Sequence, residues 1–137
     1  MEQTAIFTPF LGMLLLTFAV WIFMYIKRLA FLTAENIDPQ TISTPDKLVS
    51  VIPEAVNNPA NNLKNLFELP VLFYAICLYL YATQQVDTTY LYAAYIFFVF
   101  RALHSIVQCT FNKVMVRFSV YAVSSVALWV MIVKAAL

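Results

Sequence analysis

NNLKNLFELPVLFY, residues 61–74, decides how this chain is read, because it sets a carboxylate, Glu68, and a proline, Pro70, inside a run that otherwise has the make-up of a membrane span. An acidic side chain at the centre of such a helix opposes insertion by about 2.5–3.5 kcal/mol. A partner elsewhere in the fold must offset that cost.

The rest of the chain has the same character. Of its 137 residues 63% are hydrophobic and 11% are charged, which excludes an ordinary soluble domain. A hydrocarbon layer about 30 Å thick needs about 20 apolar residues per helix, so this length suits a single all-α domain, an integral membrane four-helix bundle. The net charge of +1 offers no basic surface for nucleic acid. Cys77 and Cys109 lie in apolar runs and read as small hydrophobes. His104 is the one histidine, so no metal site is expected.

Residues 6–26 are free of charge and are followed at once by Lys27 and Arg28, the reverse of the charge order of a cleaved signal peptide. Residues 27–62, with Pro39, Pro45, Pro53 and Pro59, read as one long loop. Further spans are expected at about 63–82, 89–111 and 118–133, with Pro70 bending the second of them just beyond Glu68. Lys and Arg gather in the first and third loops and are missing from TQQVDTT, residues 83–89. By the positive-inside rule those two loops face the cytoplasm and both termini lie outside it.

Polar residues interrupt spans two and three at helical intervals. Asn61, Asn65 and Glu68 fall at i, i+4 and i+7, and Arg101, His104 and Gln108 at i, i+3 and i+7, so each set forms a stripe. Two such stripes should face each other rather than lipid, with Glu68 and Arg101 as a buried pair or as members of one network. Arg117, followed by Tyr121, stands at the mouth of span four, where it is either a flanking arginine that sets topology or part of a basic lining for an anionic ligand.

NLKNLFELP, RALHSIVQ and Arg117 together resemble the MAPEG family, the membrane-associated proteins of eicosanoid and glutathione metabolism. The family motif Asn-x-x-Glu followed by proline is matched by Asn65, Glu68 and Pro70. Arg-x-x-His is matched by Arg101 and His104, and a later arginine by Arg117. The resemblance implies a homotrimer with glutathione as co-substrate between subunits. Asn65, Glu68, Arg101, His104, Gln108 and Tyr121 would then bind glutathione, and Arg117 would act catalytically by stabilising its thiolate.

The sequence departs from well-studied members in having Asn61 where they carry an arginine and Gln108 where they often carry a tyrosine, so it looks like a divergent bacterial branch, of the inner membrane. The function implied is a glutathione-dependent transferase or peroxidase acting on lipophilic electrophiles or hydroperoxides, with membrane lipid around it. Two alternatives stand beside it: a small proton-coupled transporter using Glu68, and a family relative without catalysis.

Overall fold

The structure is a computed structural model that describes all 137 residues. After a short 3-10 turn, Gln3–Ile6, come α1 (Phe7–Ala34), α2 (Pro45–Val51), α3 (Glu54–Leu66), α4 (Leu69–Ala82), α5 (Thr88–Cys109) and α6 (Val114–Ala136). Four stretches are long and apolar enough to cross a membrane: Gln3–Ala34, Glu54–Ala82, Thr88–Cys109 and Val114–Ala136. α1, α4 and α6 each bury a narrow stripe and leave their other faces largely apolar and exposed, whereas α5 is buried over more of its surface. In α1 the buried stripe is Pro9, Met13, Val20 and Met24; in α4 it is Pro70, Phe73, Cys77 and Leu80. Leu15, Phe18, Ile26 and Leu29 of α1 point outward. An apolar outer surface of this kind has lipid as its natural solvent.

Phe73 of α4 stacks on Phe97 of α5 at 4.4 Å between ring centroids, and both are fully buried. Near this pair α1 and α5 come together through Gly12. A Cβ built on Gly12 would lie 2.8 Å from Phe98 Cε1, so any side chain here must displace that ring. Gly12→Val should therefore lower stability by about 1–3 kcal/mol, the usual cost of overpacking. Thermal unfolding in detergent, followed by far-ultraviolet circular dichroism, checks this.

The helices run up and down, with both termini at one end. The Gln3 side chain donates to the Val86 carbonyl at 3.1 Å and accepts from the Val86 N–H at 2.8 Å, while Lys134 near the C-terminus pairs with Asp87 at 2.5 Å. Asp87 also caps α5 by accepting from the Tyr90 N–H at 2.9 Å. The Lys134 ammonium first, and the Tyr90 N–H second, hold its carboxyl below the usual range. A depressed carboxylate stabilises the fold at pH values above its unfolded value of about 3.9, and that contribution fades as pH falls through the folded value. Because the pair is exposed, its worth is below about 1 kcal/mol. Asp87→Asn should thus cost a little stability at neutral pH and nothing in acid, as thermal midpoints measured across pH will show.

Three expectations need correction. Residues 27–62 are not one loop: α1 continues to Ala34 because Leu29, Phe31 and Leu32 prolong its apolar run, and α3 already begins at Glu54. Pro53 serves as the N-cap of α3, and Pro59 is buried within that helix. Residues 35–53 alone connect the two, and they contain a 3-10 turn and α2.

Next, the second span is broken at Phe67 and Glu68 rather than bent beyond them. Pro70 has no N–H to give the Leu66 carbonyl, so α3 closes with shortened bonds, Phe67 N–H to the Lys64 carbonyl and Glu68 N–H to the Asn65 carbonyl, both 3.1 Å. The chain restarts as α4 with Pro70 in its first turn, where the missing donor does no harm. Lastly, Asn61 is exposed, and the buried amides of α3 are those of Asn58 and Asn62.

Candidate functional site

At the end of the bundle opposite the termini, α3, α5 and α6 bring their polar residues together. Arg101 of α5 is fully buried, and its Nη2 donates to Asn65 Oδ1 at the end of α3. Asn65 Nδ2 in turn donates to Glu68 Oε1 at 3.2 Å. Of the two arrangements expected for Glu68 and Arg101, a direct buried pair or membership of one network, the structure has the second, with Asn65 as the link. The break after Leu66 leaves Glu68 exposed, and the amide, with one donor edge and one acceptor edge, links cation to anion.

Tyr121 of α6 closes the other side. Its ring lies 5.6 Å from Arg101 Cζ and 5.8 Å, centroid to centroid, from His104. A cation over an aromatic face at this range is attracted by the ring quadrupole. Asn65, His104, Val114, Arg117, Phe118 and Tyr121 line a polar niche of about 200 Å³ beside this cluster. Arg117 reaches it half-buried, with its Nη1 donating to Asn112 Oδ1 at 2.6 Å.

Of the seven residues singled out in the sequence, Asn65, His104, Arg117 and Tyr121 line the niche, and Arg101 adjoins it through Asn65 and Tyr121. Glu68 lies at its edge, held by Asn65. Gln108 is buried but is not part of the lining, so the stripe on α5 is only partly committed to this site.

Sequence reasoning missed Asn112, which holds Arg117, and Asn62, whose Nδ2 approaches Cys109 Sγ at 3.8 Å. Asn58, Asn62 and Asn65 carry the same i, i+4, i+7 spacing as the stripe that was chosen. Only the phase of the helix distinguishes the two readings.

Several buried polar atoms of α3 and α5 have no partner within the chain: Arg101 Nε and Nη1 and His104 Nδ1, at or behind the niche, and Ser105 Oγ, Gln108 Oε1 and Asn62 Oδ1. Buried groups of this kind are normally satisfied by water or ligand, so a concentration of them marks a place built to hold polar molecules. A larger groove of about 600 Å³ on the outer side of α5 and α6, lined by Ile96, Val123, Val126 and Val130 among others, has no comparable polar equipment and belongs to the lipid-facing surface.

The sequence model of the MAPEG family matches residues 6–137, nearly the whole chain. The chain belongs to the MAPEG family. Its four long apolar helices are accordingly the membrane bundle of a MAPEG protein, and the molecule is an integral, multi-pass membrane protein of the glutathione and eicosanoid metabolism family. No individual curated protein and no solved structure matches it significantly. In this MAPEG chain the polar niche lies between α3, α5 and α6, at the end that also carries Lys64 and Lys113.

Proposed function

We propose that this protein is a glutathione-dependent transferase or peroxidase that acts on lipophilic electrophiles or hydroperoxides. The observation that carries the proposal is the convergence of Arg117, His104, Tyr121 and Asn65 on one niche, with the Arg101 guanidinium buried behind it, in a bundle that is otherwise apolar.

The residues suit the tripeptide. Glutathione presents two carboxylates, an ammonium and a thiol; the chain offers two guanidiniums, the exposed Glu68 carboxylate and the Asn65 amide. A bidentate guanidinium is well matched to a carboxylate. Arg117, the half-buried cation of the niche, favours the thiolate over the thiol, and each unit by which it lowers the thiol pKa corresponds to about 1.36 kcal/mol. A guanidinium in this position acts by charge and hydrogen bonding and not as a base. The thiolate then forms a C–S bond to an electrophilic carbon, either adding across an activated double bond with uptake of a proton or displacing a leaving group. With a hydroperoxide it takes the terminal oxygen as the O–O bond breaks and the alcohol leaves, and a second glutathione reduces the resulting sulfenic acid to the disulfide with loss of water.

The niche is smaller than the roughly 300–1,000 Å³ of complete ligand pockets, so one protomer holds only part of the tripeptide. Phe67, Met115 and Phe118, on the segments that form the niche, are 66%, 73% and 60% exposed. A second copy laid over them would complete the site, which supports placing glutathione between subunits, the homotrimer itself being what membership of the MAPEG family implies. Lys27, Arg28, Lys64, Lys113 and Arg117 fall at the end of the bundle that carries the niche, whereas Lys134 at the other end is neutralised by Asp87. By the positive-inside rule this asymmetry supports a niche on the cytoplasmic side with both termini outside.

The test is stopped-flow ultraviolet absorbance of purified, detergent-solubilised protein mixed with glutathione, paired with conjugation of a lipophilic electrophile. Thiolate absorbance that saturates with glutathione, and turnover with it, is expected. No glutathione binding, together with substrate efflux driven by a pH gradient and abolished by Glu68→Gln, would instead make the protein a proton-coupled carrier. Binding without turnover on any electrophile or hydroperoxide would make it a non-catalytic member.

A further inference from the structure

We propose that Asn112 is the positioning residue for Arg117, fixing the guanidinium at the niche while leaving its charge uncompensated. This rests on the glutathione reading for its chemical consequence but not for its geometry. Asn112 lies in the turn between α5 and α6 with a left-handed backbone, φ 47°, and its N–H donates to the Val107 carbonyl at 2.8 Å, closing the end of α5. Its side-chain oxygen accepts from Arg117 Nη1 at 2.6 Å, the one side-chain hydrogen bond that Arg117 makes within the chain. One residue thus ends α5 with its backbone and orients the first-turn arginine of α6 with its side chain.

The left-handed residues at the other two turns do not share this arrangement. At the ends of α1 and α4 they are Asn36 and Gln84, whose own N–H groups reach only three residues back, and there the bond spanning five residues comes from the following residue, Ile37 to the Leu32 carbonyl at 3.0 Å and Gln85 to the Leu80 carbonyl at 2.9 Å. Asn is among the few non-glycine residues that enter the left-handed region readily, so it meets the backbone demand and still supplies an oxygen.

The choice of a neutral acceptor matters. Aspartate could occupy the same backbone and would bind the guanidinium more tightly, but its charge would cancel the field that Arg117 projects into the niche. The amide orients without neutralising. The other ionisable groups near Arg117 are His104 and Tyr121 in the niche lining, Lys113 one helical turn before it and Glu68 beyond Asn65, and none of these side chains is hydrogen-bonded to the guanidinium.

Two substitutions separate the backbone role from the side-chain role. Asn112→Gly keeps the left-handed turn at no steric cost and removes only the amide; Asn112→Asp keeps an acceptor and adds a negative charge. In the full-length protein, the pH profile of glutathione thiolate absorbance should move to higher pH by about one unit for Asn112→Gly and by about 1–3 units for Asn112→Asp. Circular dichroism and thermal midpoint should stay near those of the wild type.

A second arm needs no glutathione: modification by an arginine-specific dicarbonyl, mapped by peptide mass spectrometry, should be faster at Arg117 in Asn112→Gly and unchanged at Arg28. Unaltered Arg117 modification in Asn112→Gly overturns the positioning role. So does a thiolate profile identical to wild type in both variants. If the wild type itself forms no thiolate, the functional reading fails, and the modification arm still decides the geometry.

Discussion

Asn65→Leu should destabilise the protein by about 3–5 kcal/mol, one of the two largest effects expected of a single substitution here. Arg101 is fully buried, and Asn65 Oδ1 is the one acceptor within the chain that its guanidinium reaches. Removing that acceptor leaves a charge in a low-dielectric interior with no hydrogen-bond acceptor in the chain and only the Tyr121 ring beside it, a costly change for a buried network. The loss should show as a lower midpoint in thermal unfolding in detergent.

If the deficit comes from the stranded charge and not from helix packing, then Asn65→Leu with Arg101→Met should recover most of it, since an apolar pair of similar volume leaves nothing unsatisfied. Failure of the double variant to recover would mean that Arg101 shapes the bundle by its volume. Asn65→Leu also frees Glu68 from its hydrogen bond, a minor term because Glu68 is exposed.

Arg117→Ala should raise the pKa of bound glutathione by about 1–3 units, and so cut the thiolate fraction at neutral pH by about ten-fold or more, the usual reach of an opposite charge a few ångströms away. Stability should barely change, because Arg117 is half-exposed and its one hydrogen bond is to a neutral amide. Arg117→Lys should recover part of the shift, since the charge returns without the planar fork that Asn112 engages. The pH titration of thiolate absorbance reads all three proteins. Loss of binding at every pH, instead of a displaced titration, would make Arg117 a ligand anchor with no hold on the thiol.

Much of this was legible along the chain because it depends on composition and period alone. Four apolar runs, two polar stripes and a carboxylate followed by a proline are local facts, and they pointed to the bundle, to the stripes that carry Asn65, Arg101 and His104, and to a disturbance near Glu68. Prolines misled at residues 27–62. Pro53 and Pro59 are ordinary loop signals, yet one caps α3 and the other is buried inside it, where packing outweighs propensity.

Sequence by itself therefore determined what depends on transfer from water to lipid: the number of membrane spans and which side chains needed a partner. Which partner each one found was decided by tertiary structure. The break at Phe67 and Glu68 turned the carboxylate outward, so Asn65 came to stand between it and Arg101. Packing of α3 buried Asn62 instead of its neighbour Asn61, and the turn after α5 brought Asn112 under Arg117. Hydrophobicity accumulates over a whole helix and survives an error of phase, whereas a hydrogen bond is made or lost within about an ångström and a fraction of a helical turn.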